Sequence, residues 1–212
     1  MSWKTRIITA TGTPLHVYNR GANRETIFFC ESDYERFLQL LLDSLIGSDV
    51  RLLVYGLLPN HFHLILDQSR AYAVSGYMQK VCWEYSRYIN KRKKRSGHLF
   101  EGRFKPRQIY DDNALLRLSH YIHENPVAAG LVSKPEAWKY SSTRSYTGEM
   151  DQAGLAVGPL LSLVDGPENY ARFLADYDPS QPEAIAKYLR STHGDSQHRR
   201  VPHSTRLGTQ RQ

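Results

Sequence analysis

Two apolar runs, residues 50–57 and residues 61–66, stand on either side of Leu58-Pro59-Asn60. Runs of that length around a turn-forming Pro-Asn pair predict two antiparallel strands. This pair sets an antiparallel sheet at the centre of the chain. Along the second run, alternation places His61, His63 and Ile65 on one face and Phe62, Leu64 and Leu66 on the other. Two imidazoles two residues apart on a rigid strand both reach one metal ion, and neutral imidazole is the commonest protein metal ligand. The same spacing also fits two histidines packed in a sheet with ordinary hydrogen bonds.

The other elements follow from periodicity and punctuation. Residues 15–20 alternate like a strand and stop at Gly21. Phe37, Leu38, Leu41, Leu42 and Leu45 recur at helical spacing after the cap signal Ser32-Asp33, predicting a helix over 34–46. A long helix over 72–94 has Val74, Tyr77, Met78, Val81, Tyr85 and Tyr88 on its apolar face. Residues 98–110 feed a strand. A further helix starts at Asp111-Asp112-Asn113 and is expected to end near Asn125, because Pro126 discourages continuation. The order strand, helix, strand, strand, helix, strand, helix predicts an α+β fold, an antiparallel sheet flanked by helices in the ferredoxin-like arrangement. Residues 1–147 are expected to form this domain. Residues 148–190 read as an acidic segment, Gly-rich and linker-like over 148–166, with short helices over 167–177 and 182–189. Residues 191–212 read as a basic tail, disordered until bound.

Charge is concentrated. Residues 87–107 hold nine Lys/Arg against one acid, Glu101, so they carry +8 in a chain of formal charge +7, and the remainder nets about −1. A basic block beside near-neutral surroundings is the footprint of a polyanionic partner. Arg20, Arg24, Arg87, Lys91, Lys94, Arg95, Arg103, Lys105 and Arg107 are the candidate nucleic-acid contacts. Phe100 and Phe104 within this block fit either stacking on unpaired bases or core packing. There is no run of 18 apolar residues and no apolar leader after Met1. The two cysteines, Cys30 and Cys82, lie far apart and read as reduced thiols. A cytoplasmic, nucleoid-associated protein is expected. Neither a Walker A loop nor G-x-G-x-x-G occurs.

Tyr121 and Asn125 are four apart on the last predicted helix and share a face. They supply a phenol and an amide oxygen as possible partners for His61 and His63. The alternative for Tyr121 is an aromatic at a core boundary. Two imidazoles and an amide oxygen leave open positions on a divalent ion. Oxygen ligands and waters suit Mg²⁺ or Mn²⁺, and the imidazoles shift the preference toward Mn²⁺ or Zn²⁺.

Four phrases carry a resemblance. They are Asn19-Arg20-Gly21, the run from Gly56 through Pro59-Asn60-His61-Phe62-His63, the run from Gly97-His98-Leu99-Phe100 to Lys105, and Tyr121-Ile122-His123-Glu124-Asn125-Pro126 with the residues to Val132. His61-Phe62-His63 resembles the HUH motif of single-tyrosine transposases. Together, over about residues 13–147, the phrases resemble the REP-associated tyrosine transposases of the IS200-like transposase family. The resemblance implies a metal-dependent DNA endonuclease and strand-transfer enzyme acting on single-stranded or hairpin DNA of REP palindromes. It implies Tyr121 as nucleophile, through a covalent 5′-phosphotyrosine, and His61, His63 and Asn125 as ligands of Mg²⁺ or Mn²⁺. Many relatives outside this subgroup have Gln where Asn125 stands. A monomer or a homodimer fits, and no membrane partner is expected. A non-catalytic hairpin-binding regulator is the alternative that the basic block equally accommodates.

Overall fold

The computed structural model describes residues 11–178 and residue 180. Its elements are β1 (Leu15–Arg20), α1 (Glu31–Asp43), β2 (Val50–Leu58), β3 (His61–Gln68), α2 (Ala73–Arg92), β4 (Lys105–Gln108) and α3 (Asp112–Ala128). The four strands form one antiparallel sheet in the order β2-β3-β1-β4. This is the α+β, ferredoxin-like arrangement expected from the order of elements. Pro106 sits in β4, an edge strand, where a missing backbone N–H is tolerated.

Alternation divides the central strands between two faces. Leu15, Val17, Phe62, Leu64 and Leu66 are fully buried in one core with Phe37 and Leu41 of α1 and Val74, Met78, Val81 and Tyr85 of α2. On the opposite face only the β2 side is covered, where Val54 and Ile65 share a second core with Leu116 and Ile122 of α3. Toward β4 that face carries His16, Tyr18 and Arg20 beside His61, His63, Lys105 and Arg107. A half-covered sheet therefore leaves its polar residues together on the open half.

Gly56 fixes how closely α3 approaches. It pairs with His63 across β2 and β3. A Cβ there would lie 2.9 Å from Ile122 Cγ2 and 3.1 Å from the Ile122 carbonyl oxygen. The helix thus rests on bare backbone opposite His63. Pro126 does not end α3, contrary to expectation: the helix runs on to Ala128. Pro126 offers no N–H to the Ile122 carbonyl four residues back, and that carbonyl is the one set against Gly56. Termination falls to Gly130, in the left-handed region at φ 69°, with Leu131 N–H donating to Pro126 O (3.0 Å) and Gly130 N–H to Val127 O (2.9 Å).

Two other expectations are corrected. Asp33 does not precede the first helix; α1 begins at Glu31, and Asp33 Oδ2 accepts the Phe29 and Cys30 N–H groups at 2.8 and 3.2 Å. It also binds the Arg92 guanidinium. Residues 148–166 are not a simple linker. After α4 (Thr143–Tyr146), this stretch lays Leu155 beside Leu52 and donates Ala156 N–H to Leu52 O (2.8 Å), covering the open edge of β2. It then forms α5 (Gly158–Val164), which with α6 (Pro167–Asp176) buries Leu160, Val164, Tyr170 and Phe173 in the second core. The Gly content masks a short helix that only tertiary packing stabilises. The expected helix over 182–189 and the basic tail lie outside the described residues. Among the described residues no helix is long and apolar enough to cross a membrane.

Gly56→Ala should lower stability by about 1–3 kcal/mol through overpacking against Ile122, measured as a fall in the urea midpoint. Gly76→Ala, on α2 where an added Cβ meets nothing within 4 Å, should instead raise stability by about 0.5–1 kcal/mol.

Candidate active-site cleft

A cleft of about 510 Å³ opens over the uncovered half of the sheet. Tyr18, Asn19, Arg20, Arg24, Asn60, His61, His63, Lys105 and Tyr121 line it. Strand register explains the gathering. Tyr18 pairs with His63 on one side and Lys105 on the other, and Arg20 pairs with His61. Tyr121 comes from α3, one residue before the Ile122 that rests on Gly56. Its ring meets His63 edge-on, with centroids 5.4 Å apart, and it is 50% exposed. The structure therefore brings His61, His63 and Tyr121 to one accessible surface.

Both imidazoles are held by their Nδ1 atoms. His61 Nδ1 lies 2.7 Å from Asn60 Oδ1, an acceptor, so the proton sits on Nδ1 and Nε2 keeps its lone pair. His63 Nδ1 lies 2.9 Å from His16 Nε2, the two sharing one proton. With that proton on His63, its Nε2 is likewise free. Fixing one nitrogen of an imidazole orients the other as a ligand. His16 also stacks on His63 at 5.1 Å and 20° and on Tyr18 at 5.0 Å.

Electrostatics keep these rings uncharged. Burial, with lesser contributions from His16 and His61, pushes the His63 imidazolium down to about 3. Burial and the Arg107 guanidinium bring His16 to about 4. His61 is lowered by burial and then by Arg20. Neutral imidazole is the form that binds a metal.

Asn125 is half-buried one turn beyond Tyr121 and does not line the cleft. Its amide nitrogen is buried without a hydrogen-bond partner, so no structural bond holds that end of the amide. Among the described residues no group of three His, Cys, Asp or Glu is arranged to hold a metal. The donor set is two imidazoles with amides nearby.

The candidate DNA contacts separate. Arg20, Arg24 and Lys105 line the cleft, and the Arg107 guanidinium lies 5.9 Å from the Tyr18 ring. Arg20 is ion-paired with Glu101, which also stands 3.6 Å from Lys105, so part of this charge is balanced. Arg87 covers Trp83 on α2, Lys91 and Lys94 are exposed at its end, Arg95 donates to His98 O, and Arg103 lines a second cleft. Arg92 is committed to buried Asp33. Phe100 is 7% exposed and packs in the first core, which removes it as a stacking surface.

Local pattern does not mark His16, Tyr18 and Asn60 as cleft residues. Alternation over 15–20 puts His16, Tyr18 and Arg20 on one face, yet only the pairing of β1 with β3 shows that this is the histidine face. His123 packs on the far side of the helix from the cleft. It is fully buried behind α3, with Nδ1 2.8 Å from Tyr170 Oη and Nε2 2.8 Å from Ser142 Oγ, and Tyr170 donates to Ser119 Oγ at 3.0 Å. These bonds tie the back of the tyrosine helix to α6 and to the segment beside β2.

Residues 9–125, more than half of the 212-residue chain, match the family described as "Transposase IS200 like". The chain belongs to the IS200-like transposase family. Every residue of the transposase-family cleft falls inside the matched span, whereas α5 and α6 lie beyond it. The structure also aligns with "Structure of the REP associates tyrosine transposase bound to a REP hairpin" at a TM-score of 0.58 and 14% identity, covering 70% of this chain and 93% of that one. At that identity the likeness is one of fold. No curated protein matches the chain.

His16, His63 and His123, the last held near 3 by burial, all titrate lower folded than unfolded. The unfolded chain takes up their protons first, so their stabilisation is complete above pH 6.5 and is lost as pH falls from there toward 3. Urea unfolding at stepped pH should show stability dropping by about 1.4 kcal/mol per unit for each such histidine. A flat response between about pH 6.5 and 4.5 would contradict their buried, neutral state.

Proposed function

We propose that this IS200-like family member cleaves and rejoins single-stranded or hairpin DNA of REP type, with Tyr121 as nucleophile. The observation that carries this is the half-exposed Tyr121 phenol edge-on to His63, in a cleft rimmed by Arg20, Arg24 and Lys105. The aligned transposase structure is one bound to a REP hairpin, which supports that DNA class.

A divalent ion, Mg²⁺ or Mn²⁺, would be held by His61 and His63 through Nε2, with Asn125 as the proposed third ligand. When bound, it supplies charge stabilisation to a non-bridging phosphate oxygen. The two free Nε2 atoms fit that group. The chain's own residues do the rest. Arg20, Arg24 and Lys105 hold the flanking phosphates and set the register of the strand. His63, fixed by His16, meets the phenol ring edge-on. Tyr121 Oη attacks phosphorus: the Oη–P bond forms as the P–O3′ bond breaks. The phenolic proton passes to solvent and the departing 3′ oxygen takes one up. The phosphotyrosine conserves the bond, so a 3′ hydroxyl reverses the step without ATP.

Labelled REP hairpin DNA incubated with Mn²⁺ should yield a covalent adduct stable to denaturation. Tyr121→Phe should yield none while still binding the DNA. Adduct formation by Tyr121→Phe would move the nucleophile to another side chain, and cleavage with no adduct in the unaltered chain would replace the tyrosine with a water nucleophile. Affinity for single strands should fall with salt at a log–log slope of about −0.7 per neutralised phosphate, whatever the cleavage outcome.

A further inference from the structure

A second cleft, of about 690 Å³, borders the first: Asn19 lines both. It lies between α2 and residues 97–104, with Met78, Cys82 and the buried Phe100 among its walls. The segment between the clefts is pinned to the end of β1. Asn19 Nδ2 donates to Gly102 O at 3.0 Å, and Glu101 N–H to Arg20 O at 2.9 Å.

Two features distinguish this cleft from a packing defect. Trp83 lines it while 57% exposed, an unusual position for the largest apolar side chain, and Phe104 stands in the same wall. The Arg87 guanidinium lies 4.5 Å from the indole centroid, and Arg103 is a lining residue. Among the described residues no acidic side chain lines the cleft. An exposed indole, a second aromatic and two guanidiniums match a flat π-faced ligand carrying phosphate on either side, and several hundred Å³ accommodate a nucleoside.

We propose that this cleft receives one unpaired base of the strand whose phosphate lies at Tyr121. The proposal rests on the single-stranded DNA reading above. Trp83 and Phe104 are the stacking platform; Arg87 and Arg103 meet the adjoining phosphates. Stacking of this kind is tolerant of base identity, so the site grips a displaced base and sets the strand's path rather than reading its sequence.

The test uses the full chain in EDTA, with two probes of equal length: oligothymidine, and an abasic strand that keeps the phosphates and lacks the bases. The unaltered chain should bind oligothymidine more tightly. Trp83→Ala should weaken oligothymidine roughly five- to hundred-fold and leave the abasic strand unchanged, erasing the difference. Trp83→Phe should retain most of it. Oligothymidine, and not the abasic strand, should quench tryptophan emission in the unaltered chain, and Trp83→Phe should lose that quenching. Unchanged oligothymidine affinity in Trp83→Ala, or equal weakening of both probes, overturns the proposal and leaves the cleft to another occupant, such as an apolar protein segment. Failure of the nucleolytic reading is distinguishable: the hairpin would form no Tyr121 adduct while Trp83-dependent base binding persisted.

Discussion

The close approach of α3 to the sheet at Gly56 governs the geometry of this protein. With any side chain at that position, Ile122 would have to lift away, and Tyr121 next to it would leave His63. Gly56 lies directly across the ladder from His63, so one bare backbone position sets the separation of the phenol from the imidazole. Pro126 reinforces the arrangement from the helix side. It leaves the Ile122 carbonyl without its usual donor at the turn that meets the sheet, and the helix survives because Leu115, Leu116 and Ile122 are held in the second core.

The second constraint is the burial of uncharged imidazole. His16, His63 and His123 occupy sites where a proton would have to be carried out of water, so each stays neutral well below its ordinary range. In the cleft this leaves lone pairs available beside cations that would otherwise compete for the same anionic ligand. Behind α3 it allows His123 to serve as a two-ended hydrogen-bonding strut among Tyr170, Ser142 and the tyrosine helix. The C-terminal helices, outside the matched family span, thus brace the element that carries the phenol.

Much of this architecture is legible in local pattern. Period-2 alternation places His61 and His63 on one face, and helical spacing places Tyr121 and Asn125 on another element's edge. Both follow from backbone geometry alone. The order of elements gives the sheet class, since a hairpin and two helix-linked strands of this length leave few topologies. The departures are equally physical. Pro126 signals a stop because its local cost is real, yet packing outweighs it. Residues 148–166 look like a linker because seven-residue α5 has too few turns to show a period. The basic block reads as free charge, whereas Arg92 pairs with Asp33, 59 positions away, and Lys105 stands beside the block's own Glu101.

Which side chains share a face of each strand and helix, and where basic charge concentrates, can be read from local order, because those properties depend on neighbours within a few residues. Which faces meet is settled by the folded chain alone. His16 reaches His63 across 47 positions of chain, Asn19 joins two clefts, and Trp83 is left standing in solvent. Such pairings depend on strand register and on how closely helices settle onto a sheet, and both are fixed by packing the whole core at once.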